Sequence, residues 1–208
     1  MKVAAVIPAF NEEKTIGSVV DVVRASGVDE VVVVSDGSTD NTAKVAAEHG
    51  AHVIPLENNV GKGGAMKAGY SLTGADVILF LDGDLIGLKE EHVRALLHPV
   101  VSGQAHMTVG RFVGGRVATD LAQTLTPFLS GQRAVSRDLL DRLSDLEVSR
   151  FGVEMALTKI AKKVGAIVKE VELHDLSHVM KEEKMGFRKG LRARVEMYWD
   201  IMATMFKT

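Results

Sequence analysis

The stretch EVVVVSDGSTDNT, Glu30–Thr42, joins four consecutive valines directly to a polar, turn-forming segment. An apolar run without polar alternation suits a strand buried on both faces, as in a parallel sheet. Working outward, VAAVIPAF (Val3–Phe10) reads as an earlier strand ended by a proline, and Asn11 reads as the cap of a helix with Ile16, Val19, Val20 and Val23 on one face. After the valines, Asp40 or Asn41 starts a helix that Gly50 ends. AHVIPL is a third strand, GKGGAMKAGYSL a glycine-opened helix, and DVILFLD a fourth strand. Such alternation predicts an α/β fold: a mostly parallel central sheet with helices on both faces.

The second half is less regular. EEHVRALLHPVV predicts a helix and AHMTVGRF a strand. VGGRVATDLAQTLTPFLSG predicts a glycine loop leading into a helix. SRDLLDRLSD and GVEMALTKIAKKVG predict two more helices, and IVKEVEL alternates as a strand would. The tail from Gly186 to Lys207 reads as a helix with Leu191, Val195, Tyr198 and Met202 on one face. No repeat, low-complexity tract or linker interrupts the 208 residues, so residues 1–208 are expected to form one domain, with halves at 1–90 and 91–208.

Composition excludes several classes. The net charge of -2 gives no basic field for bulk nucleic-acid binding. Cysteine is absent, which rules out disulfides, thiolate metal sites and a cysteine nucleophile, and fits a reducing cytoplasm. The opening MKVAAVIPAF lacks the longer apolar stretch and cleavage site of a signal peptide, and no window approaches the roughly 18 apolar residues of a membrane span.

In an open α/β sheet, ligands gather at the carboxyl ends of the strands. PAFNEE (Pro8–Glu13), SDGSTDNT (Ser35–Thr42) and DGD (Asp82–Asp84) fall at such ends, and GKGGA (Gly61–Ala65) opens a helix. Asp82 and Asp84 follow VILFL, where an unpaired carboxylate would be costly to bury. Two acids one residue apart can share a divalent cation, and hard oxygen ligands suit Mg²⁺ or Mn²⁺. GKGGA is not a P-loop, because position 56 is Leu and Gly63 follows Lys62. A lysine at a helix start can still meet a phosphate. Taken singly, these motifs also read as turns and caps: Ser38, Asp40 and Asn41 can bond backbone amides.

In this order, IPAFNEE, VVSDGSTDNT, NVGKGGAMKAGY and FLDGDL resemble the nucleotide-binding half of GT-A glycosyltransferases, especially family-2-like enzymes. The resemblance implies a GT-A fold and a nucleoside-diphosphate-sugar donor. Pro8, Ala9, Asn11 and Glu12 would line the nucleotide pocket, with Asp36 at the base and Lys62 near the nucleotide. Asp82 would face ribose or metal-bound water, and Asp84 would ligate the metal.

GGRVATDLAQTLTPFLSGQRAVSRDLL and FGVEMAL resemble segments of the glucosyl-3-phosphoglycerate synthases, which retain anomeric configuration. The implied roles are an acceptor cradle at Gly114, Gly115, Arg116 and Val117, a sugar-facing Glu154 and a metal-ligating His178, with His174 as the local competitor. Thr119 lies one residue beyond the family's usual threonine, and Val179 and Met180 replace the residues that follow the histidine there.

The expected function is therefore metal-dependent transfer of glucose from UDP-glucose to a small phosphorylated or carboxylated acceptor such as 3-phosphoglycerate. LSGQRA, where many inverting relatives carry an acidic motif, favours retention. The rivals are an inverting polyprenyl-phosphate glycosyltransferase at a membrane surface, a nucleotidyltransferase and a nucleotide-binding regulator. Against the first, Ile86 stands where that group has a polar metal ligand; against the second, PAFNEEKT has no glycine- and arginine-rich phosphate loop. The basic tail (Lys181, Lys184, Arg188, Lys189, Arg192, Arg194) reads as a solvated face, an acceptor clamp or, less favoured, a membrane contact. Its apolar face reads as core or homodimer packing.

Overall fold

The computed structural model describes residues 1–114, 130–142 and 153–178. The expected helix after VGGRV, the acceptor residues Gly115, Arg116 and Val117, and the C-terminal basic helix lie outside the described residues. Of the two compact units, Met1–Ser177 and His178–Thr208, the second is described only at His178.

The strands are β1 (Val3–Ala9), β2 (Glu30–Asp36), β3 (His52–Leu56), β4 (Val77–Phe80), β5 (Leu85–Ile86), β6 (Met107–Val113), β7 (Arg133–Ser136), β8 (Val168–His174) and β9 (Ser177–His178). The helices are α1 (Ile16–Ala25), α2 (Thr42–Glu48), α3 (Lys62–Leu72), α4 (Glu90–Val101), α5 (Arg137–Asp141) and α6 (Val153–Lys163). Seven strands form one sheet in the order β3-β2-β1-β4-β7-β6-β8, and β5 pairs with β9. Within the large sheet β7 runs antiparallel to β4 and β6, while the remaining neighbours are parallel.

The expected two-sided burial is met by residue parity. Val3, Ala5 and Ile7 of β1, Val31 and Val33 of β2, and Val77 and Leu79 of β4 face one core, packed by α1, α2 and α4 through Val19, Ala46 and Leu96. Ala4 and Val6, Val32 and Val34, and Ile78 and Phe80 face the other, packed by α3, α5 and α6 through Met66, Leu139 and Leu157. Alternate side chains of a strand point to opposite faces, so an unbroken valine run is what a sheet covered on both sides requires.

The short strands β5 and β9 were not expected, and two larger differences concern α1 and β7. Asn11 does not cap α1, which begins at Ile16 with Thr15 before it. The Glu12 carbonyl accepts the amides of Thr15 and Ile16, forming a turn ahead of the helix. Asn11 adopts a positive φ of 55°, which asparagine tolerates better than most residues, and its Oδ1 accepts the Thr39 amide at 2.9 Å. Strand β7 was not expected at all, yet it sits between β4 and β6. No described helix is long and apolar enough to cross a membrane.

Candidate active site

The crevice opens where strand order reverses. β2 and β3 lie to one side of β1 and β4 to the other. β1 pairs with β2 as far as Ala9, but its last partner in β4 is Phe80, opposite Val6. Ile7, Pro8 and Ala9 thus run on with only one sheet neighbour assigned. A proline, which has no amide to donate, is tolerated best at such an edge. This is the switch point at which open α/β sheets bind ligands.

Each strand end contributes residues through local bonds. Asp36, at the end of β2, is 3% exposed. Its Oδ1 accepts the Val60 amide at 2.7 Å, and its Oδ2 accepts the Gly61 amide at 2.9 Å. Gly61, at φ 83°, turns the chain into α3 and so delivers Lys62. The expected base-facing aspartate is therefore also the anchor of the lysine loop. The Glu12 amide donates to the Thr42 hydroxyl at 2.7 Å, and the Asn11 amide to the Ser38 hydroxyl at 3.2 Å, tying the first loop to the second. Gly83, between the two acids, lies against this first loop. A side chain there would meet Ala9 Cβ at 3.1 Å and Glu12 Cγ at 3.5 Å, and the Gly83 carbonyl accepts the Thr15 hydroxyl at 2.8 Å.

Lys62 is the centre of the charge arrangement. Its Nζ lies 2.6 Å from Asp82 Oδ1 and 2.8 Å from Glu154 Oε1. Burial works against the ammonium, but Asp82 and then Glu154 outweigh it and raise its pKa above the ordinary lysine value. Glu154, at the start of α6, is 7% exposed, so its charge is held by a partner rather than by water.

The antiparallel strand β7 brings its amino end to the same edge. Gln132, fully buried, donates from Nε2 to Asp82 Oδ2 at 3.0 Å and accepts the Ser130 hydroxyl at 3.1 Å on Oε1, which fixes the orientation of its amide. Arg133, also fully buried, donates from Nε to the Ser130 carbonyl at 2.7 Å and from Nη1 to the Thr158 hydroxyl at 3.1 Å. Burial pushes its guanidinium down to about 10 while Glu154 opposes that shift, so it stays charged at neutral pH. Sequence reasoning missed Gly131, Gln132 and Arg133 as site residues. The available signal was a glycine followed by two large polar residues that enter an apolar strand.

The ligand atoms that Asp82, Asp84 and His178 can offer lie within 4.8 Å of one another. Two carboxylates and an imidazole are a donor set that fits Mg²⁺ or Mn²⁺. His174, the competitor, is the last residue of β8 and has its Nε2 3.5 Å from Glu172 Oε2. Gly114 closes β6 at φ 74°.

Residues 4–159 match glycosyl transferase family 2. The chain belongs to that family. Among curated members, the chain is 33% identical to the glucosyl-3-phosphoglycerate synthase of Mycobacterium tuberculosis, over 74% of this chain and 59% of that one. It is 29% identical to the synthase of Petrotoga mobilis, over 95% and 74% of the two chains. The chain thus spans less than two thirds of the mycobacterial relative's length. A crystal structure of the Mycobacterium tuberculosis synthase with Mn²⁺, UDP-glucose and phosphoglyceric acid superposes with a TM-score of 0.71 at 32% identity, covering 86% of this chain and 71% of that one. The fold is that of the GT-A members of family 2.

Proposed function

We propose that this protein transfers glucose from UDP-glucose to a small phosphorylated or carboxylated acceptor such as 3-phosphoglycerate, with a divalent metal and with retention, and that residues 1–208 act as one catalytic domain. The observation that carries the reading is the group Asp82, Asp84 and His178 at the mouth of the β1/β4 crevice, beside Lys62. It is supported by the family membership and by relatives whose crystal structures hold Mn²⁺ with UDP-glucose, or Mg²⁺ with UDP. The absence of cysteine suits a reducing cytoplasm.

Asp84 and His178 would hold the metal, with Asp82 between it and Lys62. When bound, the metal would supply Lewis-acid charge to the departing diphosphate. The loops of Pro8–Glu12 and Asp36 would hold the nucleoside, and their mutual hydrogen bonds pre-form that pocket. Lys62 brings a protonated amine to the same edge. Glu154, buried and paired, would orient the sugar. Gln132 stands beside Asp82 with an amide, which cannot serve as a general base, and this favours retention. Gly114 to Val117 would receive the anionic end of the acceptor.

The test is Asp84→Ala. The variant should lose Mn²⁺-dependent UDP binding, measured by calorimetry, while its far-UV circular dichroism is unchanged. Wild type with Mn²⁺, UDP-glucose and 3-phosphoglycerate should yield a glucosylated acceptor by mass spectrometry. Undiminished Mn²⁺-dependent UDP binding by the variant removes the metal assignment.

A further inference from the structure

We propose that Lys62 is the resident cation of the acid cluster, competing with the divalent metal for Asp82 until a nucleoside diphosphate draws it away, so that this side chain strengthens the cooperativity between metal and nucleotide. The inference rests on the metal-dependent reading above and assigns Lys62 a role beyond proximity to the nucleotide.

The geometry is specific. Asp82 belongs to the group able to hold a cation, yet both its oxygens already have partners. Oδ1 faces the Lys62 ammonium at 2.6 Å, and Oδ2 accepts from Gln132 at 3.0 Å. Lys62 is itself bridged to Glu154 at 2.8 Å, so its single positive charge is shared between two carboxylates. It is also packed from above. A Cβ added at Gly131 would collide with Lys62 Nζ and lie 2.8 Å from both Asp82 oxygens. The ammonium is thus a close-packed counter-ion at the acid pair.

A divalent ion sharing Asp82 with this ammonium places two cations on one carboxylate. Each weakens the other's attraction to it, and the effect is strong where water is partly excluded. A diphosphate changes the balance. Its oxygens offer Lys62 an anionic partner and let Asp82 turn its charge to the metal. Coupling of this kind is reciprocal: the nucleotide must improve metal affinity by the factor by which the metal improves nucleotide affinity. Metal alone and nucleotide alone should each bind weakly.

The experiment is a Mn²⁺ titration followed by the electron paramagnetic resonance signal of the free ion, with and without saturating UDP. The proteins are wild type, Lys62→Met, Lys62→Gln and Lys67→Met. Lys67 is an exposed lysine on the same helix and controls for loss of a charge alone. UDP should tighten Mn²⁺ binding to wild type by about 5–150-fold. Lys62→Met should bind Mn²⁺ alone at least about 5-fold tighter than wild type and show a UDP effect reduced by a similar factor. Lys67→Met should match wild type. Lys62→Gln retains an amide donor for Asp82 and gives the same reading should the methionine variant fail to fold. If the neutral variants bind Mn²⁺ alone no tighter than wild type, or keep the full UDP effect, the inference is overturned while the metal-dependent reading stands. If wild type takes up no Mn²⁺ with or without UDP, both fall.

Discussion

A Cβ at Gly131 would fall on the Lys62–Asp82 pair, so a side chain there forces the ends of both side chains to move. Gly131→Ala should therefore separate that pair and leave Lys62 misplaced. The bond at stake for the nucleotide is the charge-assisted one from Lys62 to the diphosphate, whose loss is worth about 1.5–3 kcal/mol. Calorimetry in saturating Mn²⁺ should show UDP affinity lower by about one to two decades, with circular dichroism unchanged; wild-type affinity would mean the pair tolerates displacement. A second residue-scale expectation concerns acid. Burial works against the Asp40 charge, but the bonds it accepts from the Thr42 hydroxyl, the Thr42 amide and the Glu13 amide outweigh this and hold its carboxyl below the usual range. A depressed folded-state pKa stabilises above the unfolded value of about 3.9, and that stability is lost as pH falls through the folded value. Urea midpoints of wild type should fall more steeply below about pH 4 than those of Asp40→Asn. Parallel curves would show that Asp40 carries no linkage.

At the scale of elements, α3 matters most, since it starts at Lys62 and ends near the chain that enters β4. Its end is held by Arg137, the first residue of α5, which donates to the carbonyls of Tyr70, Thr73 and Ala75. These carbonyls lie at and beyond the helix end, where intrahelical donors run out. Arg137→Met should cost about 1–3 kcal/mol of stability, read as a lower denaturation midpoint with an unchanged slope. A shift below about 0.5 kcal/mol would mean water replaces the guanidinium. Strand β7 shows why some elements were hidden from sequence reading. It is short, and the segment entering it, Gln132-Arg133, reads as loop by polarity. Both side chains are nonetheless fully buried, because their partners are Asp82, fifty positions away, and Thr158, twenty-five positions away.

For the whole molecule, ligand linkage offers a direct check. Binding to the folded state alone stabilises by about 2.7 kcal/mol at a hundredfold excess over Kd. For a chain of this size that is a rise of about 5–10 °C in Tm. UDP with Mn²⁺ should produce such a rise and a chelator should abolish it; a rise insensitive to chelation would place UDP binding outside metal control. What the sequence by itself determined was the doubly covered sheet and the loops that meet at its edge. The valine runs can be satisfied only by burial on both faces, and polar motifs placed directly after such runs must emerge at the strands' carboxyl ends. Asp36, Asp82 and Asp84 were legible for that reason, and Lys62 from the glycines that open its helix. Only the tertiary structure decided who partners whom. It set Lys62 between Asp82 and Glu154, brought the amino end of an antiparallel strand to the site, and made Asp36 the anchor of the lysine loop. These outcomes depend on ion pairs and hydrogen bonds between residues 20 to 92 positions apart, and local pattern carries no information about distances of that kind.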